Sequence, residues 1–191
     1  MTMRDEEVYP ALVQHLQGFF RGHECTLLHA PPGPIQRVLP RLHVMRVAPG
    51  PRTRHWVYAT VGAWEVDREA GGGTEFFLIV DRQDDEKNVL RLAMTAHYHR
   101  GEHLGEQHTF PLGEPWEPGS ELDHMLVSLP YTYGPELEIC ELPGGHVHFL
   151  WLLPITKAER EFKAANGLDA LEDRFEEGGI EYWNAHRRSM V

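Results

Sequence analysis

Apolar residues along the chain change their spacing several times, and each change marks an element. Leu12, Val13, Leu16, Phe19 and Phe20 recur at intervals of three and four, the spacing of one helix face. Pro10 precedes them and suits the first helical position, where its missing N–H loses no bond. The run APPGP (30–34) interrupts regular structure, and beyond it Leu42, Val44 and Arg46 alternate with His43, Met45 and Val47 as a strand requires. A second strand is read in RHWVYATVGAW (54–64) and a third in FFLIV (76–80). The stretch DREAGGGT (67–74) joins them as the flexible turn of a hairpin.

From residue 85 the period is helical again. Val89, Leu92, Ala93, Ala96 and His99 fall on one stripe, and Gly101 is placed to end the helix. Residues 101–121 contain four glycines and three prolines and read as a loop. Strands are expected at 122–129 and 137–142, followed by a turn at Pro143-Gly144-Gly145. The segment HVHFLWLLPITKAEREF (146–162) places Val147, Phe149, Trp151 and Leu153 on one strand face and His146, His148, Leu150 and Leu152 on the other. Both faces are mostly apolar, so the strand is covered on both sides. Burying a side chain such as Phe149 or Leu152 contributes about 1.5–3 kcal/mol. Pro154 is read as its end. Thr156-Lys157-Ala158-Glu159 matches a capping box and opens a helix that Asn166-Gly167 closes; Leu168, Leu171 and Phe175 then stripe a shorter helix stopping at Gly178-Gly179.

Composition narrows the functional classes. The 191 residues are 41% hydrophobic and 10% aromatic, enough apolar material for one packed domain and against disorder. No apolar run reaches the roughly 18–20 residues of a membrane helix, and the start, MTMRDEEVYP, carries acids where a leader carries bases. The cytoplasm is the expected location. Cys25 and Cys140, the only cysteines, are too few to staple a fold and read as reduced. The formal charge of −11 repels phosphate, and the basic pairs at Arg52 and Arg54 and at Arg187 and Arg188 lack interleaved aromatics. Nucleic acid is therefore not expected as a partner, nor is a membrane, whereas a basic protein suits this field.

Two histidine groups invite a metal reading. With a three-residue turn, Cys140 faces His148 and Leu142 faces His146, gathering Cys140, His146 and His148 into a zinc corner; slipping the register by one residue turns the histidines away. The corner also lacks an obvious fourth group, so the plain alternative is a sheet rim. HRGEH (99–103) matches the His-x-x-Glu-His pattern of a class of zinc hydrolases, with His99 and His103 as ligands and Glu102 as base. That chemistry needs both histidines on one face of a continuous helix, which Gly101 opposes. Ser120, Ser128 and Ser189 stand in no Gly-x-Ser-x-Gly turn, and GGGT precedes a strand rather than opening a helix, so neither a serine nucleophile nor a nucleotide cradle is read. Acid pairs such as Asp84-Asp85 and Glu176-Glu177 read as solvated helix ends.

Several segments in order carry a likeness: HWVYATVG (55–62), the 76–80 strand, VLRLAMTAHY (89–98), the Gly-acid-x-His element at 105–108, LDHML (122–126), and FLWLLPITKAEREF with its following Asn-Gly. Together they resemble the suppressor of fused domain family over about residues 55–175. The resemblance implies an α/β fold of α+β type. A central mixed, mostly antiparallel sheet would be flanked by helices, with residues 1–191 as a single such domain. It also implies no catalytic activity, no cofactor, and a role in gripping other proteins. Animal members clasp a peptide of Gli-type transcription factors between two domains, and this chain is similar only to the N-terminal one. Bacterial single-domain relatives have been proposed as immunity proteins, which implies a protein partner such as a basic toxin or a regulatory protein. Tyr98, Glu106 and His108 match the part of the family near the peptide groove and are carried over as candidate partner-binding residues. Without the resemblance, Tyr98 reads as a helix-end aromatic packing on the sheet. A zinc-dependent hydrolase at His99, Glu102 and His103 is the alternative function, and the oligomeric state is left open.

Overall fold

A computed structural model describes residues 5–70 and 72–191. Gly71 of the glycine turn and the first four residues of the N-terminal stretch lie outside the described residues. Helix α1 (Asp5–Phe19) starts before Pro10, which stands inside it. One lost N–H bond is tolerated because Val8, Leu12 and Leu16 are all buried against the sheet, and packing outweighs local propensity. Strand β1 (Cys25–His29) is half exposed and was invisible to the hydrophobic pattern. The expected break at APPGP instead ends in a short helix, α2 (Pro34–Val38), with proline in its first turn.

Strands β2 (His43–Val47), β3 (Trp56–Val61) and β4 (Gly73–Val80) follow, with a 3₁₀ helix at Ala63–Ala70 where strand and turn were expected. Strand β3 ends at Val61 because Gly62 turns the chain with φ 118°; a Cβ there would stand 2.9 Å from the Arg41 carbonyl oxygen. The Glu75 carboxylate then accepts the N–H groups of Gly62, Ala63 and Trp64 at 2.8, 3.2 and 3.2 Å, satisfying the donors that open the 3₁₀ helix.

Helix α3 (Asp85–Glu102) is capped by the Asp84 side chain on the Lys87 N–H and passes through Gly101. It ends at His103, in the left-handed region at φ 48°, and the next residue, Leu104, is buried. The expected loop after it contains strand β5 (Thr109–Pro111) and is tied to α3: Arg91 donates to the Trp116 carbonyl and lies 3.6 Å over its ring, and Lys87 meets Glu117 at 2.8 Å.

The rest of the chain supplies β6 (Leu122–Ser128), α4 (Pro135–Glu138), β7 (Ile139–Leu142), β8 (Gly145–Thr156), α5 (Lys157–Asn166) and α6 (Leu168–Gly178). The sheet runs β1-β2-β3-β4-β8-β6-β5, with β7 also on β8; among the described residues only β4 and β8 pair in parallel. Strand β8 is buried on both faces as its pattern implies: Phe149 and Leu152 are at 0% exposure. It continues past Pro154 because that residue pairs with Met125 of β6 beyond the stretch that β4 covers, where β8 has a neighbour on one side only. One core layer lies under α1 and α6, the other under α3. Among the described residues no helix is long and apolar enough to cross a membrane.

Candidate functional site

Helix α6 carries two faces. Leu168, Leu171 and Phe175 are buried on the sheet, while Asp169, Glu172, Asp173 and Glu176 follow at helical spacing on a neighbouring face. Gly179 leaves the helix in the left-handed region at φ 61°, and the Ile180 N–H bonds back to the Phe175 carbonyl. That reversal brings the C-terminal segment across the sheet, with Tyr182 edge-on to Trp151 at 5.0 Å. The segment is pinned by a buried ion pair: Arg187 donates from both terminal nitrogens to Glu159, at 2.6 and 2.9 Å, and to the Pro154 carbonyl at 2.9 Å. Glu159 is also the reaching residue of the expected capping box, closing on the Thr156 N–H at 2.8 Å.

Between α6, this segment and strands β6 and β8 lies a groove of about 470 Å³. Its floor is Leu126, Trp151, Leu153, Phe175, Ile180 and Tyr182. Its edge is the acidic strip of α6, with Tyr131 and Thr132 also lining it, and among the described residues none that lines it is a cation. Burial pushes the Glu172 carboxyl above its ordinary range, and Asp169, Glu106 and Asp173 push it further while the Tyr131 hydroxyl pulls it back. Its Oε1 is buried with no hydrogen-bond partner among the described residues. The Tyr131 hydroxyl is raised by burial and then by Glu172, Glu106 and Asp169. An apolar floor beside mutually repelling carboxylates attracts cationic groups attached to apolar ones. The sequence signal for this strip was present in the spacing of the four acids, but only Glu176-Glu177 was weighed there, as a solvated helix end.

The three residues carried over from the family likeness do not line the groove. Glu106 is close enough to act on Glu172 and Tyr131. His108 is exposed and accepts the Gly105 N–H through Nδ1 at 3.1 Å. Tyr98 stands on the other side of the sheet, on α3, with its ring 5.3 Å from Phe110.

The histidine groups are resolved by register and by burial. The β7–β8 turn has two residues, so Cys140 pairs with Val147, Glu141 with His146 and Ile139 with His148. Cys140 therefore points into the core under α1, where burial first and then Glu75 and Glu141 push its thiol up to about 11. The imidazoles of His146 and His148 share the opposite face, and His148 Nδ1 lies 3.2 Å from Glu138. Helix α3 does continue through Gly101, and His99 and His103 both approach Asp67, at 2.7 and 3.6 Å. Burial would raise the Asp67 carboxyl, but the His99 hydrogen bond and charge, with further hydrogen bonds from Thr74 and His103, outweigh it and hold it below its usual range. Glu102 is exposed. Among the described residues no three potential ligands are grouped to hold a metal ion.

Comparison with known proteins places this fold. The sequence model of the suppressor of fused protein family matches residues 39–188. The chain belongs to the suppressor of fused family. A suppressor of fused homologue from Neisseria gonorrhoeae is 34% identical over 96% of this chain and 97% of its own, with a TM-score of 0.82. Drosophila Suppressor of Fused is 15% identical with a TM-score of 0.63, and the match takes in 98% of this chain but 52% of the Drosophila one. A chain of the Sufu–Fu complex is 14% identical with a TM-score of 0.69, covering 96% of this chain and 92% of its own. Those two likenesses carry the fold alone. The immunity protein YqcF of Bacillus subtilis is 28% identical over 72 residues, 38% of each chain.

Proposed function

We propose that this member of the suppressor of fused family is a non-enzymatic binding module, an immunity protein or regulator, that holds a basic protein partner in the groove beside α6. The observation that carries the reading is the pairing of Trp151, Leu153 and Phe175 as floor with Asp169, Glu172, Asp173 and Glu176 as rim. An apolar side chain of the partner fills the floor, and flanking lysines or arginines meet the rim and relieve the carboxylate repulsion that adds to burial in raising Glu172. A volume of about 470 Å³ falls within the range of sites that bury a whole ligand group, roughly 300–1,000 Å³. The Bacillus relative, which is named an immunity protein, supports the immunity reading over a toxin-neutral regulator. Glu106, acting on the same carboxylates, belongs to the rim on this reading.

The test compares wild type with a Glu172→Lys/Asp173→Lys variant as bait for co-purification from its own cells. A basic protein retained by wild type, released at high salt and lost from the variant is the expected result. Equal capture by both baits, or an acidic partner indifferent to salt, would overturn the reading.

A further inference from the structure

The face of α3 turned away from the sheet has a different character from the groove. Six large apolar side chains are exposed among the described residues, and three of them, Leu90 (43%), Met94 (55%) and Tyr98 (42%), lie on this one helix. Their spacing of four residues stacks them along the outermost line of α3, opposite the buried Leu92, Ala96 and His99. Such a stripe in water is not required by the fold, which already buries the other side of the helix. Beside Leu90 lies a recess of about 350 Å³, bounded by Leu28, Pro31 and Val89 and edged by Asp85 and Glu86.

The charges along this face are ordered. Glu86 stands near the start of α3 and Arg100 near its end on one flank of the stripe; Lys87 near the start and Glu102 near the end lie on the other. We infer that the outer face of α3 pairs antiparallel with the same face of a second copy of this chain, around a two-fold axis at Met94. That operation sets Leu90 of each copy against Tyr98 of the other. It brings Arg100 to Glu86 and the recess beside Leu90 on one flank, and Glu102 to Lys87 on the opposite flank. The contact is self-complementary, as a two-fold interface must be, and antiparallel helices also oppose their dipoles. Charge selects the face. Two copies of a chain with net charge −11 repel on average, but here Glu86 and Glu102 are matched by Lys87, Arg91 and Arg100, of which Lys87 and Arg91 also reach Glu117. The groove lies in the other core layer, so pairing through α3 leaves it open.

Sedimentation equilibrium on the full chain tests this. Wild type is expected to dimerise reversibly, and Met94→Glu to raise the dissociation constant by about tenfold or more by setting two carboxylates in an apolar contact. Glu86→Arg alone and Arg100→Glu alone each weaken the dimer, and the double exchange restores it, which a parallel or unrelated contact would not reproduce. Unchanged far-UV circular dichroism and a single cooperative melt show that the variants fold, the melting temperature itself falling with the lost dimer. A wild type that stays monomeric, a dimer indifferent to Met94→Glu, or a monomer in which Met94→Glu instead weakens capture of the groove's partner would each overturn the pairing.

Discussion

Glu75 is wholly buried, and its carboxylate holds three backbone N–H groups at the start of the 3₁₀ helix. Burial dominates its ionisation and lifts it from 4.5 to about 7, with the Thr60 side chain and the three backbone donors pulling against that rise. The folded protein therefore keeps a proton that the unfolded chain has already released between these two values. Its contribution is fully present below pH 4.5 and is lost as pH rises through 7, a loss of about 3 kcal/mol from a shift of this size. Urea unfolding at half-unit steps of pH should show wild type losing stability across that window. Glu75→Gln, which cannot ionise, should flatten the slope. Cys140, raised by the same burial, is correspondingly inert as a thiolate near neutral pH.

At the scale of elements, the capping box joining β8 to α5 was legible from four residues, because capping depends on local spacing alone. The two-faced burial of β8 was legible too, since both alternating sets of side chains are apolar. The β7–β8 register was not: two-residue and three-residue turns fit the same Pro-Gly-Gly, and one position of slip exchanges the faces of Cys140 and the histidines. Nor could spacing reveal that Glu159 has a second employment. Its partner Arg187 arrives from the far end of the chain and is 4% exposed, a long-range pairing that no periodicity encodes. Breaking this pair strands a buried carboxylate, so Arg187→Met should cost about 3–5 kcal/mol in chemical denaturation, and pairing it with Glu159→Met should recover only part of that, because Glu159 also accepts the Thr156 and Met190 N–H groups. The single variant should also lose the groove wall at Ile180 and Tyr182, which the C-terminal segment carries. The groove itself escaped sequence reading because its floor is assembled from β6, β8, α6 and that segment, whereas its rim lies on one helix.

For the whole molecule, charge and architecture divide the work. On the proposed function, the net charge of −11 would draw a basic partner from a distance, and the apolar floor and rim carboxylates would retain it. Stopped-flow association with that partner should therefore slow by about tenfold or more on raising sodium chloride from 10 mM to 0.5 M, while dissociation changes less. The parallel pairing of β4 with β8, Gly73 beside Val147 and Phe77 beside Trp151, has a further effect on the life of the chain. During synthesis the first four strands leave the ribosome long before the strand that seals them. In that interval the backbone of Phe76 and Phe77 would be an open template, so the nascent chain is expected to be most adhesive to its own kind until β8 emerges to cover it.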